Sequence, residues 1–363
     1  MTHLTVLGNP GHRRVALFAE AARAAGLPEP VVLPWLDVLR GDVRLTPGTL
    51  VRIDSPGEDE AVDRLLRGPA LGAGYAPTRV EGGAAWYRGV TGALERLAAQ
   101  VRATPGAALL GDPAEIAVMF DKRATHRLLS SAGVPVPAAL DQSAGPVIGW
   151  PDLRERLSAA GLPRVFVKPA HGSSASGVLA LEFGPHGQLQ ATTSVELVGA
   201  ELHNSLRVRR YRTEREIAAI VDRLAPDGLA VERWIPKASQ GGRAADLRVV
   251  VIAGRATHAV VRTSRSPMTN LHLGGARGDL ELAAEAAGEA WPELLDVCER
   301  AAACFPNSPM VGVDLLPATG WRSFHIGEVN AFGDLLPRLT GLPGGPAEGL
   351  DTYRAQLAAL PTS

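Results

Sequence analysis

Cysteine is nearly absent from this 363-residue chain: there are two, Cys298 and Cys304. Their spacing fits neither a zinc site nor a dithiol redox motif, so both read as ordinary thiols in a reducing compartment. No apolar run approaches the ~20 residues that span a bilayer, and the opening MTHLTVLGNPG lacks a basic-then-apolar signal pattern. The net charge of −1 sets up no global field for nucleic acid or an acidic membrane. These absences predict a soluble cytoplasmic protein with no nucleic-acid and no membrane partner. Two familiar phosphate motifs are missing too. No Gly-x-x-x-x-Gly-Lys-Ser/Thr occurs, and LGNPGHRR has the wrong spacing for a dinucleotide fingerprint. Lysine is also scarce, a handful among 37 basic residues, so each one that is present is informative.

The length suits two or three packed subdomains better than one core. The first hundred or so residues alternate strand and helix: LTVLG, then RRVALFAEAARAAG ended by Gly26, then PVVLPW, TLVRID and the helical GEDEAVDRLLRG. That order predicts a small parallel α/β sheet with crossover helices. Its strand ends carry 8–11 (GNPG) and 52–56 (RIDSP), either helix-starting turns or ligand contacts. The stretch 105–113 reads as a linker. Asp112 then caps a helix opened by Pro113, and a second helix stops at Gly133. Further on, GVLALEF and QLQATTSVELV read as antiparallel strands and TEREIAAIVDRL as a helix before LAVERWIP. DLRVVVIAGRATHAVVRTS reads as a hairpin turning near Ala253-Gly254-Arg255. The stretch 278–304 is helical, and MVGVDLLPATGWRSFHIGEVNAFG is a closing strand pair.

The run VFVKPAHGSSASGV over 165–178 carries the most chemistry. A short apolar strand delivers Lys168, followed by His171, Gly172, Ser173, Ser174, Ala175, Ser176 and Gly177. Small residues let backbone N–H groups close on an anionic oxygen, and the lysine adds positive charge. A flexible surface turn is the plain alternative. A second cluster lies near the C-terminus. Glu328 and Asn330 are two apart on one strand, so they share a face, and the strand turn can bring Asp314 beside them. Two carboxylates and an amide oxygen are the hard donors magnesium takes alongside water and phosphate.

These pieces fall in an order that resembles the ATP-grasp superfamily: AspLys before a helix ending in GVPVP, strand-Lys-Pro-GSSxSG-Val, Glu-x-Trp-Ile, AspLeuArg-strand-Gly-strand-Arg, AsnLeuHis-x-GlyGly, GlyValAsp and GluValAsn. The branch of carboxylate–amine ligases that includes ribosomal-protein glutamate ligases is the most similar. The resemblance covers roughly 112–339. It implies an ATP-grasp fold of α+β lobes behind an α/β domain that precedes them: 1–104 as the substrate domain, 105–235 as linker plus central lobe, and 236–363 as a C-terminal lobe with the metal site. It implies that Lys122 and Lys168 hold ATP phosphates together with Gly172, Ser173, Ser174, Ser176 and Gly177. Glu232, Arg233, Trp234 and Ile235 would form the hinge, with backbone groups on the adenine edge and a carboxylate on the ribose. Asp314, Glu328 and Asn330 would hold magnesium, as two ions with manganese as a substitute, and Arg248, Arg262 and Asn270 would face an acylphosphate. D-alanine ligases place an arginine two residues before the first metal carboxylate. Here that residue is Gly312, which shifts the charge to Arg262, with Arg265 able to share it. No histidine is needed as a base, with His272 the best outsider. The implied activity is amide-bond formation between a small-molecule or peptide carboxylate and an amine, with a homodimer as a further implication. A kinase on the same fold and a non-catalytic nucleotide-binding protein are the alternatives.

Overall fold

The structure is a computed structural model that describes residues 3–172, 175–332, 336 and 339–360. Ser173 and Ser174 of the small-residue loop lie outside the described residues. The chain begins with four parallel strands, β1 (His3–Gly8), β2 (Val31–Pro34), β3 (Thr49–Ile53) and β4 (Ala108–Leu110), in the order β2-β1-β3-β4. Their crossovers are α1 (Arg13–Ala24), α2 (Trp35–Arg40), α3 (Glu60–Leu71) and α4 (Gly83–Ala103). α1 starts where it does because the His12 ring accepts the Arg14 N–H, and it buries Val15, Phe18, Ala21 and Ala22, one helical stripe. Two local readings change. Trp35 opens α2 instead of ending the second strand, and β4 lies inside the stretch read as a linker.

After α5 (Pro113–Phe120), α6 (Lys122–Ser131) and α7 (Trp150–Ala159) comes a five-stranded antiparallel sheet. It holds β5 (Arg164–Pro169), β6 (Leu179–Phe183), β7 (Leu189–Val198), β8 (Glu201–Tyr211) and β9 (Leu229–Arg233), ordered β8-β7-β6-β5-β9, with α8 (Glu214–Leu224) before β9. The caps are those the sequence implied for α5: Asp112 accepts from Ala114 and Glu115, and Pro113 takes the first turn. Asp121 does the same for α6.

The third sheet is antiparallel: β13-β12-β11-β14-β15, with the two-residue β10 (Ser239–Gln240) on β11. Its strands are β11 (Arg243–Ile252), β12 (Arg255–Ser264), β13 (Ala276–Arg277), β14 (Met310–Pro317) and β15 (Phe324–Asn330), and α9 (Leu280–Ala287) and α10 (Trp291–Ala303) lie between β13 and β14. β11 and β12 turn at Ala253-Gly254, both with positive φ, as a tight two-residue hairpin requires. The last helix, α11 (Thr352–Ala358), returns to the first sheet, where Tyr353 and Leu357 pack with Leu4, Val6 and Phe18. Arg52 serves this junction: it is buried, pairs with Asp54 at 2.7 Å, and its Nε donates to Gln356 at 3.1 Å. Among the described residues, no helix is long and apolar enough to cross a membrane.

Candidate active site between the two antiparallel sheets

The sequence contains three lysines, Lys122, Lys168 and Lys237, and all three line one cavity between the central and C-terminal sheets. In a chain that otherwise uses arginine, this concentration marks the cavity as a place where compact, hydrogen-bonding cations are wanted. Lys122 opens α6 and reaches the Gly172 carbonyl at 2.5 Å and Glu328 at 2.8 Å. Lys168 is the last residue but one of β5 and pairs with Glu232 at 2.6 Å. Burial would lower the Lys168 ammonium, but the carboxylates of Glu232, Glu328 and Asp314 overcome it and hold the group above its ordinary value. Lys237 binds Asp246 and the Thr269 hydroxyl, each at 2.9 Å.

One end of this cavity is apolar, walled by Phe166, Val178, Ile235, Met268 and Leu316. The four residues expected to form the hinge divide there. Glu232, Arg233 and Ile235 line the cavity, whereas Trp234 packs against Phe166 and beneath the Arg164 guanidinium. The Arg233 N–H is spent on the Ala138 carbonyl and the Trp234 N–H on Arg164. Of the N–H groups of Arg233, Trp234 and Ile235, Ile235's is the one without a backbone partner among the described residues.

The loop over the cavity is tethered from below. Thr193 and Ser194 on β7 donate to the Val178 and Ala175 carbonyls at 2.7 and 2.9 Å. His171 stacks on Tyr87 of α4, with ring centroids 3.9 Å apart. Gly172 and Ser176 face the cavity; Gly177 does not. Gly177 has φ +73°, and a Cβ there would meet Pro169 at 2.6 Å and Val80 at 2.7 Å, so packing and backbone both demand glycine. Ala175 holds φ +56°, a strained value for a residue with a side chain.

Asp314, Glu328 and Asn330 come together as alternation implied. Asp314 pairs in register with Glu328 and Gly312 with Asn330, and a bulge follows Asp314. The Asn330 amide nitrogen donates to the Gly312 carbonyl at 3.2 Å, which leaves its oxygen as the remaining acceptor. The donor set suits a hard divalent cation: two carboxylates and an amide oxygen. Among the described residues no group of three His, Cys, Asp or Glu could hold a metal, so such a site needs the amide. Both predicted arginines converge on Asp314. Arg248, directly opposite on β11, engages both carboxylate oxygens, with Nη2 at 3.1 Å; Arg262 on β12 adds Nη2 at 3.2 Å. Burial alone would raise the Asp314 carboxyl; the two guanidinium charges reverse this and keep it ionised. Asp246 is buried and likewise held below the carboxylate range by Arg262 and Lys237 against its burial. Lys237, Asp246, Arg262, Asp314 and Arg248 thus form one alternating chain of charge.

A second cavity of about 360 Å³ opens on the other side of these groups. Its far wall comes from loops at the parallel sheet through His12, Arg14, Ser55 and Glu58, and its near wall includes Asn270, His272 and Asn330. The two cavities share five residues: Gly172, Arg262, Asn270, Asp314 and Glu328. Of the 52–56 stretch only Ser55 reaches it. Buried Asn9 pins the following loop through the Pro56 and Gly57 carbonyls, 3.1 and 2.9 Å away. His258 and His325 lie outside both cavities.

Lys237, Asp246, Leu316 and Met268 line the first cavity and were not singled out in the sequence. A signal existed for two of them: Lys237 is one of three lysines, and Asp246 opens the AspLeuArg run.

No family model matches the chain, and no curated protein does. Solved structures do. The ATP-grasp ligase PsnB complexed with a minimal precursor has a TM-score of 0.53 at 19% identity, covering 99% of this chain and 99% of that one. PsnB with a phosphomimetic variant of the minimal precursor, Mg and ADP scores 0.50 at 18%, covering 99% and 97%. D-cycloserine synthetase DcsG scores 0.57 at 15%, covering 98% and 98%. The chain has the fold of the ATP-grasp ligases over nearly its whole length.

Proposed function

We propose that this protein is an ATP- and magnesium-dependent ligase that joins a carboxylate to an amine through an acylphosphate. The observation that carries the reading is the junction of the two cavities at Gly172, Arg262, Asn270, Asp314 and Glu328. A nucleotide in the first cavity and a carboxylate in the second would meet there, which is the geometry phosphoryl transfer requires. A ligase of the same fold has been solved with Mg and ADP.

In this reading the apolar end with Phe166, Val178, Met268 and Leu316 takes adenine, and the Ile235 N–H binds its edge. Lys122, Lys168 and the loop through Gly172 and Ser176 hold the phosphates, and Lys237 with Asp246 lies beside them. Ser173, Ser174 and Gly177 remain assigned to the loop, Gly177 by shaping it; Arg233 and Trp234 frame the hinge. Asp314, Glu328 and Asn330 would hold magnesium, which supplies charge neutralisation on the transferring phosphoryl group. Arg262 and Arg248 then orient Asp314 and face the acyl oxygens, with Asn270 at the same junction. The substrate carboxylate oxygen attacks the γ-phosphorus and ADP leaves. The amine nitrogen next attacks the acyl carbon, phosphate leaves, and the amine proton passes to the departing phosphate or to solvent.

Hydroxylamine trapping tests this without knowledge of the natural amine. A panel of carboxylates, small and peptide, is incubated with enzyme, Mg-ATP and hydroxylamine. The expected result is ADP together with a hydroxamate. ADP with a stable phosphorylated product and no hydroxamate would make the protein a kinase, and absence of Mg-ATP binding would make it a scaffold.

A further inference from the structure

Outside the cleft, the free edge of the central sheet carries the densest positive charge. The segment 206–215, LRVRRYRTER, has five arginines and one glutamate in a chain whose net charge is −1. Arg207, Arg210 and Arg215 are exposed and make no ion pair with any described residue. Arg209 pairs with Glu196 at 2.5 Å, yet its Nε is buried without an acceptor.

The backbone is equally available. β8 is the last strand of its sheet, and its outer side is bonded near its start, where the Asn204 N–H meets the Thr78 carbonyl at 2.7 Å. The pairing with β7 then jumps from Val195↔Asn204 to Thr193↔Arg209, so 205–208 bulge outward. Leu206 on the bulge is 71% exposed. Val208 on the same bulge packs with Met268 and Leu273, and Leu271 and His272 beside them line the second cavity. The edge therefore leads to the cavity mouth.

We propose that the free edge of β8 docks an extended acidic peptide, and, given the ligase reading above, that this peptide is part of the substrate. Beyond the bulge, the outward N–H and C=O groups of 209–211 suit another extended backbone, which a nucleic acid or a lipid headgroup lacks. Arg207 and Arg210 on β8 and Arg215 in the first turn of α8 lack acidic partners and supply the complementary charge.

The test uses a fluorescent peptide alternating glutamate and valine and the full chain, with binding read by anisotropy. Saturable binding is expected, weakening about tenfold or more when salt rises from ~0.05 to ~0.5 M. The triple variant Arg207→Glu, Arg210→Glu, Arg215→Glu should bind at least about tenfold more weakly, while its Mg-ATP affinity by calorimetry stays at the wild-type value. N-methylation of every peptide nitrogen should also abolish binding. Absence of binding, indifference to the charge reversal or to N-methylation, or equal binding of an oligothymidylate of the same charge would each overturn the proposal. Turnover of small carboxylates unaffected by the variant would leave the ligase reading intact while peptide binding decides this one.

Discussion

Replacing Lys168 with methionine separates the structural and functional sides of the first cavity. Its ammonium lies 2.6 Å from Glu232, and the two side chains are 15% and 7% exposed. Lys168→Met keeps the volume but leaves Glu232 as a buried carboxylate without its cation, which costs about 3–5 kcal/mol. Adding Glu232→Gln removes that orphaned charge, so the double variant should regain about 2–4 kcal/mol of the loss. Nucleotide affinity should behave differently. A charge-assisted bond to phosphate is worth roughly 1.5–3 kcal/mol, or about 10–150-fold in Kd, and neither variant has it. Urea unfolding and calorimetry with Mg-ATP measure the two quantities. The Lys168 ammonium is held above its ordinary value, so its stabilisation is full at neutral pH and is lost only as pH rises through that raised value. The stability gap between wild type and Lys168→Met should therefore persist to at least pH ~10. A folded single variant that binds Mg-ATP like wild type, or a double variant that recovers nucleotide affinity with its stability, would refute the reasoning.

Glu328→Gln keeps shape but removes one carboxylate of the metal set and the partner of Lys122; turnover should fall by about 10³-fold or more while KM for ATP moves far less. Burial pushes the Cys298 thiol far up, and raises Cys304 as well, but only Cys304 is part-exposed. A maleimide should label one site in the native protein and two after unfolding, counted by mass. His258 is buried and held by Thr257 and the Leu350 carbonyl, and burial lowers its pKa. The unfolded chain then binds the proton more readily, so stability should drop as pH falls below about 6.5, and His258→Gln should make that acid limb shallower in thermal melts.

Local rules made much of this molecule legible. The period of two on GEVN places Glu328 and Asn330 on one face, and the strand pair brings Asp314 opposite, because alternation needs no tertiary knowledge. Asp112 and Pro113 mark a helix start for equally local reasons. What escaped depends on register between strands. Arg248 meets Asp314 because β11 and β14 pair at that step, a relation 66 residues apart in sequence. Leu316, two residues after Asp314 on β14, shares its face by the same alternation, but only the close approach of the two sheets makes that face a cavity wall. β4 is three residues within a Pro- and Gly-rich stretch, too short to show a period. The return of α11 onto the first sheet leaves no local trace either, since Tyr353 and Leu357 find partners more than 330 residues away.

The most direct test is a crystal structure with Mg and a non-hydrolysable ATP analogue. The γ-phosphate is expected at the junction of Gly172, Arg262, Asn270, Asp314 and Glu328, with metal density on Asp314, Glu328 and Asn330. A nucleotide bound elsewhere, or a phosphate tail directed away from those three side chains, would contradict it.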